Sequence, residues 1–101
     1  MNTLVNLLNV PKDVYVPEWI MVRKELSPGE KLCYACFSAL SYKNNDVSRQ
    51  GIANLMGTSV RQVDRYIKRL QDCKLIQVER VGLNQTNKYY YLEHEWMNDE
   101  R

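Results

Sequence analysis

Apolar positions recur at helical spacing through the middle of the chain and alternate in its last third. The run SRQGIANLMGTSVRQVDRYIKRLQDCKL, residues 48–75, sets Ile52, Ala53, Leu55 and Met56 on one short face and breaks at Gly57. Ser48 suits a helix start because its oxygen can accept from an unpaired first-turn amide. Gly57 suits a helix end because glycine takes the left-handed conformation at little steric cost. Thr58 and Ser59 can cap a second helix over 59–73, in which Val60, Val63, Ile67 and Leu70 return every three or four residues. Upstream, Ser27-Pro28-Gly29-Glu30 has a capping serine, a proline at the first helical position and a glutamate that closes a capping box. The helix it opens carries Leu32, Cys33, Cys36, Phe37, Ala39 and Leu40 on a broad apolar face and ends near Tyr42. Downstream, Ile76 and Val78 alternate with Gln77 and Glu79 in LIQVERV, residues 75–81, and KYYYL follows at 88–92 after the turn-rich GLNQTN. Two such runs predict a β-hairpin. Three consecutive tyrosines must point to both faces of it, so at least one is partly exposed, and such residues more often fill the space under a hairpin than stack on bases.

The flanks are less regular. Residues 1–10, MNTLVNLLNV, are apolar and uncharged; they either dock on their own domain or pack against a second copy. Pro11 and Pro17 make the next stretch an extended connection. Residues 18–24 fit a single helical turn or a short strand, with Trp19 as the expected core anchor. Residues 93–101 are acidic and fit a helical extension, the start of a linker or a loose tail.

The polar side of the 59–73 helix carries the functional signal. At about 100° per residue, Thr58, Arg61, Gln62, Arg65, Lys68 and Arg69 fall within an arc of roughly 120°, opposite the apolar stripe. A charged helix face is by itself commonly just a solvated face. Here it follows a short helix and a small-residue turn and precedes a hairpin. Arg and Gln are also the side chains that pair with guanine and adenine edges in a major groove. The pattern implies a helix-turn-helix with 59–73 as its recognition helix, and a hairpin that serves as a wing. Ser48, Ser59 and the wing residues Arg80, Asn84, Gln85, Thr86, Asn87 and Lys88 supply further donors for phosphates or a minor groove.

Charge distribution strengthens this reading. The net charge is only +2, but residues 48–92 hold eight Lys/Arg against three Asp/Glu, whereas residues 93–101 hold one against four. The positive excess coincides with the helix-turn-helix, as contact with phosphates requires. Cys33 and Cys36 have metal-like spacing, but Cys73 is remote, His94 is the only histidine, and both cysteines fall in an apolar helical pattern. They read as buried free thiols of a cytoplasmic protein, with no metal and no cofactor. No paired-carboxylate arrangement or glycine-rich phosphate loop points to an enzyme. No apolar run is long enough for a membrane span.

The segments LSPGEKLCY, IANLMGTSVRQVDRYIKRL, LIQVERV and TNKYYYL together resemble the winged helix-turn-helix domain of phage and plasmid replication initiator and replisome-organiser proteins of Gram-positive bacteria. The resemblance spans about residues 16–92. It implies a mainly α fold with a β-hairpin wing (α+β), flanked by an amino-terminal arm at 1–15 and an acidic tail or linker start at 93–101. It also implies double-stranded DNA as partner, through Thr58, Ser59, Arg61, Gln62 and Arg65 at the start of the recognition helix. A role in replication initiation or its control follows, with replication proteins as further partners; a second copy is expected for a separate reason, that one recognition helix covers only a few base pairs. Related domains act as small transcriptional regulators, and a winged helix used for protein contact is the remaining alternative. Replication proteins of this kind continue into a second domain, so the chain is expected to be either one domain of a longer protein or a stand-alone DNA-binding protein.

Overall fold

The computed structural model describes residues 14–42, 47–80 and 87–98. Among them are helices α1 (Glu18–Met21), α2 (Pro28–Tyr42), α3 (Arg49–Met56) and α4 (Val60–Asp72), then strands β1 (Ile76–Glu79) and β2 (Lys88–Tyr91) and a 3-10 turn, Glu95–Asn98. The order and types agree with the expected mainly α fold carrying a hairpin. The apolar segment 1–10 and the wing tip lie outside the described residues.

Residues 18–24 resolve as a single helical turn rather than a strand, entered from an extended Pro17. Its core anchor is Ile20, which is fully buried, and not Trp19. Trp19 is only partly buried and meets Tyr34 edge-on, with ring centroids 5.6 Å apart. The bulky indole closes the rim while the branched aliphatic fills the interior.

α2 begins with the capping box. Ser27 Oγ accepts from the Glu30 amide at 3.2 Å, and Glu30 Oε1 accepts from the Ser27 amide at 3.0 Å, so two otherwise orphaned donors are satisfied. Cys33, Tyr34, Ala35, Cys36, Phe37 and Leu40 are buried because α3, α4 and the hairpin pack around this helix. Leu32, expected on the apolar face, is instead exposed, as is Leu55 of α3.

The α3–α4 turn follows from its residues. Gly57 sits at φ 71°, ψ 37°, and the amide of Thr58 then reaches back to the Ala53 carbonyl at 3.0 Å, ending α3 in a Schellman-type cap. Val63, Ile67 and Leu70 of α4 lie in the core with Ile20, Ile52 and Leu75. Lys74, at φ 62°, turns the chain out of α4 so that Leu75 is buried and β1 can start.

In the hairpin, Ile76 faces Tyr91, Gln77 faces Tyr90, Val78 faces Tyr89 and Glu79 faces Lys88. Tyr89 packs on Phe37 and Tyr91 stacks on Tyr34, with centroids 5.0 and 4.5 Å apart, while Tyr90 points outward and is 44% exposed. The Tyr91 hydroxyl accepts from the Ser38 amide and donates to the Tyr34 carbonyl. It thereby joins the two groups that form one rung of the α2 ladder, and locks the hairpin to α2.

Residues 93–98, for which the sequence leaves a helical extension, a linker start and a loose tail all open, contain the 3-10 turn Glu95–Asn98 and close back on the domain. The Arg23 guanidinium lies 4.6 Å from the centre of the Trp96 ring. Trp96 donates its amide to His94 Nδ1 at 3.1 Å, which leaves the ring proton on Nε2, 3.0 Å from the Cys73 carbonyl it serves.

Candidate nucleic-acid interface

Two serine caps set the starts of the two helices of the helix-turn-helix. Ser48 accepts from the Gly51 amide at 2.9 Å and starts α3; Ser59 accepts from the Gln62 amide at 3.1 Å and starts α4. Both expected site serines therefore have a structural role first. At Ser59 the capping bond uses an oxygen lone pair, and the hydroxyl proton remains available to an acceptor such as a phosphate.

The stripe Val63, Ile67, Leu70 holds one side of α4 to the core, and this forces the opposite side outward. Arg61, Arg65 and Lys68 are exposed there, and Gln62 and Thr58 are half-buried at its edges. No described residue forms an ion pair with Arg61, Arg65 or Lys68. Arg65 Nη1 lies 3.5 Å from Gln62 Oε1, so these two side chains lie side by side one turn into the helix. The structure thus places Thr58 and Ser59 at the start of α4 and Arg61, Gln62, Arg65 and Lys68 along its outward side.

Arg69 departs from the expected arrangement. Its Nη2 donates to the Glu25 carbonyl at 2.9 Å, its Nε is 3.9 Å from Glu30 Oε2, and its Nη1 lies 3.3 Å from Cys73 Sγ. At about 180° around the wheel from Val60 it borders the α1–α2 junction, within reach of a backbone carbonyl and the capping glutamate. Arg69 is exposed like its neighbours, but it is tied to the Glu25 carbonyl and lies beside Glu30 within the chain.

A second ion pair was not anticipated. Arg49, at the first position of α3, places Nη1 2.9 Å from both carboxylate oxygens of Asp64 on α4. The hydrogen bond to Asp64, and then its charge, raise the Arg49 pKa further. A lone acid bordering the basic face, with an arginine at the start of the preceding helix, was the signal in the sequence.

On the wing, Arg80 and Lys88 are exposed and Asn87 is half-buried. Lys88 stands opposite Glu79 across the hairpin. Asn84, Gln85 and Thr86 lie outside the described residues.

Cys33 and Cys36 are free and buried in α2, and burial pushes their thiols up to about 12 and about 11. No helix among the described residues is long and apolar enough to cross a membrane.

The arrangement α2, α3, tight turn, α4 and hairpin is that of a winged helix-turn-helix. A solved structure described as "N-Terminal domain of DNA binding protein" has this architecture with a TM-score of 0.63, over 92% of this chain and 85% of that one. The two sequences are 19% identical, so the similarity is one of fold. No protein-family model matches the chain, and a comparison with curated proteins gives no match.

Proposed function

We propose that this domain binds double-stranded DNA with sequence preference, placing α4 in the major groove and the wing along the backbone. The observation that carries the reading is the outward face of α4. Arg61, Arg65 and Lys68 are exposed and unpaired among the described residues, with Gln62 beside Arg65. Such side chains offer paired donors to base edges, and their charges are not neutralised internally. The DNA-binding description of the structurally similar domain supports the same reading. The resemblance of this chain's sequence to replication initiator and replisome-organiser domains favours replication initiation or its control on a phage, plasmid or other mobile element. Repression of transcription by the same contacts is the alternative. The domain acts as a binding module and carries out no chemistry.

A single recognition helix reads only a few base pairs, so a homodimer on a two-fold axis, reading half-sites about 34 Å apart, extends the reading. The apolar segment 1–10 is the surface proposed for that contact.

Fluorescence anisotropy with a labelled random duplex pool, repeated over a range of salt, tests the function. Each neutralised phosphate contributes about 0.9 to the salt slope, so three to five contacts give a slope of about −3 to −5. Absence of duplex binding at low salt, with capture of a protein partner instead, would assign the fold to protein contact.

A further inference from the structure

The ion pair between Arg49 and Asp64 has no evident value for stability. The two side chains are 53% and 44% exposed, and pairs that open to solvent contribute little. Its placement is more informative than its strength. Asp64 follows Arg61 by three residues and precedes Lys68 by four, so it adjoins both on the helix surface, on the side toward the start of α3. A carboxylate at the border of a face directed at DNA repels phosphates and weakens binding to every duplex. Arg49 offsets that charge with one nitrogen shared between the two oxygens. A carboxylate has about four acceptor sites, so acceptor capacity remains on Asp64 after this bond.

The chemistry of that remaining capacity is selective. In the major groove the donors are the exocyclic amino groups of cytosine and adenine; guanine and thymine present acceptors there. Arg61, Arg65 and Lys68 donate only, and so choose acceptors. Asp64 accepts only, and supplies the complementary half of the readout.

Building on the DNA-binding reading above, we infer that Asp64 is a specificity-determining residue, accepting from the amino group of a cytosine or adenine at one position of the site. Arg49 is its positioning residue, fixing the carboxylate and cancelling its charge toward the phosphates.

The test is selection of the full chain against a randomised duplex pool, followed by titration of the selected duplex and its single-base-pair variants. Wild type is compared with Asp64→Asn, Arg49→Met and Arg49→Lys. Asn donates as well as accepts, so Asp64→Asn is expected to change discrimination at one base pair by about five- to a hundredfold. Binding to a scrambled duplex should stay equal or tighten, because a negative charge is lost. Arg49→Met should relax preference at that same base pair without moving the thermal midpoint, and Arg49→Lys should restore part of it. A structural pair would instead lower the midpoint and weaken all duplexes in parallel, which overturns the inference. Unchanged preference at every position in Asp64→Asn overturns it as well, while leaving DNA binding intact. A wild-type protein that binds no duplex removes both readings.

Discussion

Arg69→Ala separates a cation that binds DNA from one that holds the fold, and its cost can be worked from the contacts. The guanidinium gives one charge-assisted bond to the Glu25 carbonyl at 2.9 Å and sits 3.9 Å from Glu30 Oε2. A well-formed bond of this kind is worth about 1.5–3 kcal/mol. The Arg69 side chain is 44% exposed, so solvent screening reduces that by roughly half. The ion pair adds at most about 0.5 kcal/mol at such exposure. The net loss is then about 1–2 kcal/mol, and the capping box at the start of α2 loosens with it, because Glu30 belongs to both. For a domain of this size each kcal/mol moves the thermal midpoint by about 4–8 °C, so a fall of about 4–15 °C is expected in a circular-dichroism melt. The slope of log affinity against log salt should change by much less than the 0.9 that one phosphate contact carries. An unchanged midpoint together with a slope reduced by about 0.9 would show that Arg69 leaves its internal partners for a phosphate, and would refute the assignment.

The other expectations follow from the same geometry. Arg61→Ala or Arg65→Ala should weaken binding to the preferred duplex by about 1–3 kcal/mol in anisotropy titrations, with the melt unchanged; full affinity in both would take α4 out of the interface. Arg80→Ala with Lys88→Ala should weaken all duplexes alike and flatten the salt slope by about one to two, whereas altered sequence preference at constant slope would mean that the wing reads bases. A methyl group on Gly29 would overlap the Tyr66 ring, so Gly29→Ala should destabilise the domain by about 1–3 kcal/mol in urea despite alanine's better helix propensity. Cys33 and Cys36 ionise near 12 and 11 in the fold against 9.0 for a free thiol, so at pH 8 iodoacetamide should modify Cys73 first, and equal rates for all three would contradict their burial. Their neutral thiols favour the fold fully below pH 9, and that contribution should be lost as pH rises toward 12, read as a falling alkaline midpoint.

Local chemistry made most of the fold legible. Ser27 with Glu30, Ser48, Gly57 and Ser59 each act within three to five residues, and the structure shows the hydrogen bonds that their types imply. The α4 stripe and the alternation of β1 were likewise legible, because each element buries one face. What escaped the sequence depends on contacts across the chain. Ile20 displaces Trp19 from the core because of what α1 meets, not because of anything within 18–24. Leu32 and Leu55 stand exposed where helical spacing alone put them inside. Arg69 and Lys68 are adjacent and chemically alike, yet the partner that separates them is the Glu25 carbonyl, 44 residues away.

That division matters for how the site can work. Spacing credits the outward arc of α4 with four cations; all four are exposed, and three of them, Arg61, Arg65 and Lys68, have no ion-pair partner among the described residues. The acid beside them is neutralised from α3 by Arg49, so the net charge offered by this face is set by two helices, not one. Three donors account for only part of the salt dependence expected of a specific complex, at about 0.9 per phosphate. Base-directed arginines are moreover withdrawn from phosphate contact when they read an edge. In this reading the wing cations and a second copy must carry the non-specific affinity, while α4 carries the discrimination. Changes in α4 should therefore alter which duplex is preferred more than how binding responds to salt, and changes on the wing should do the reverse.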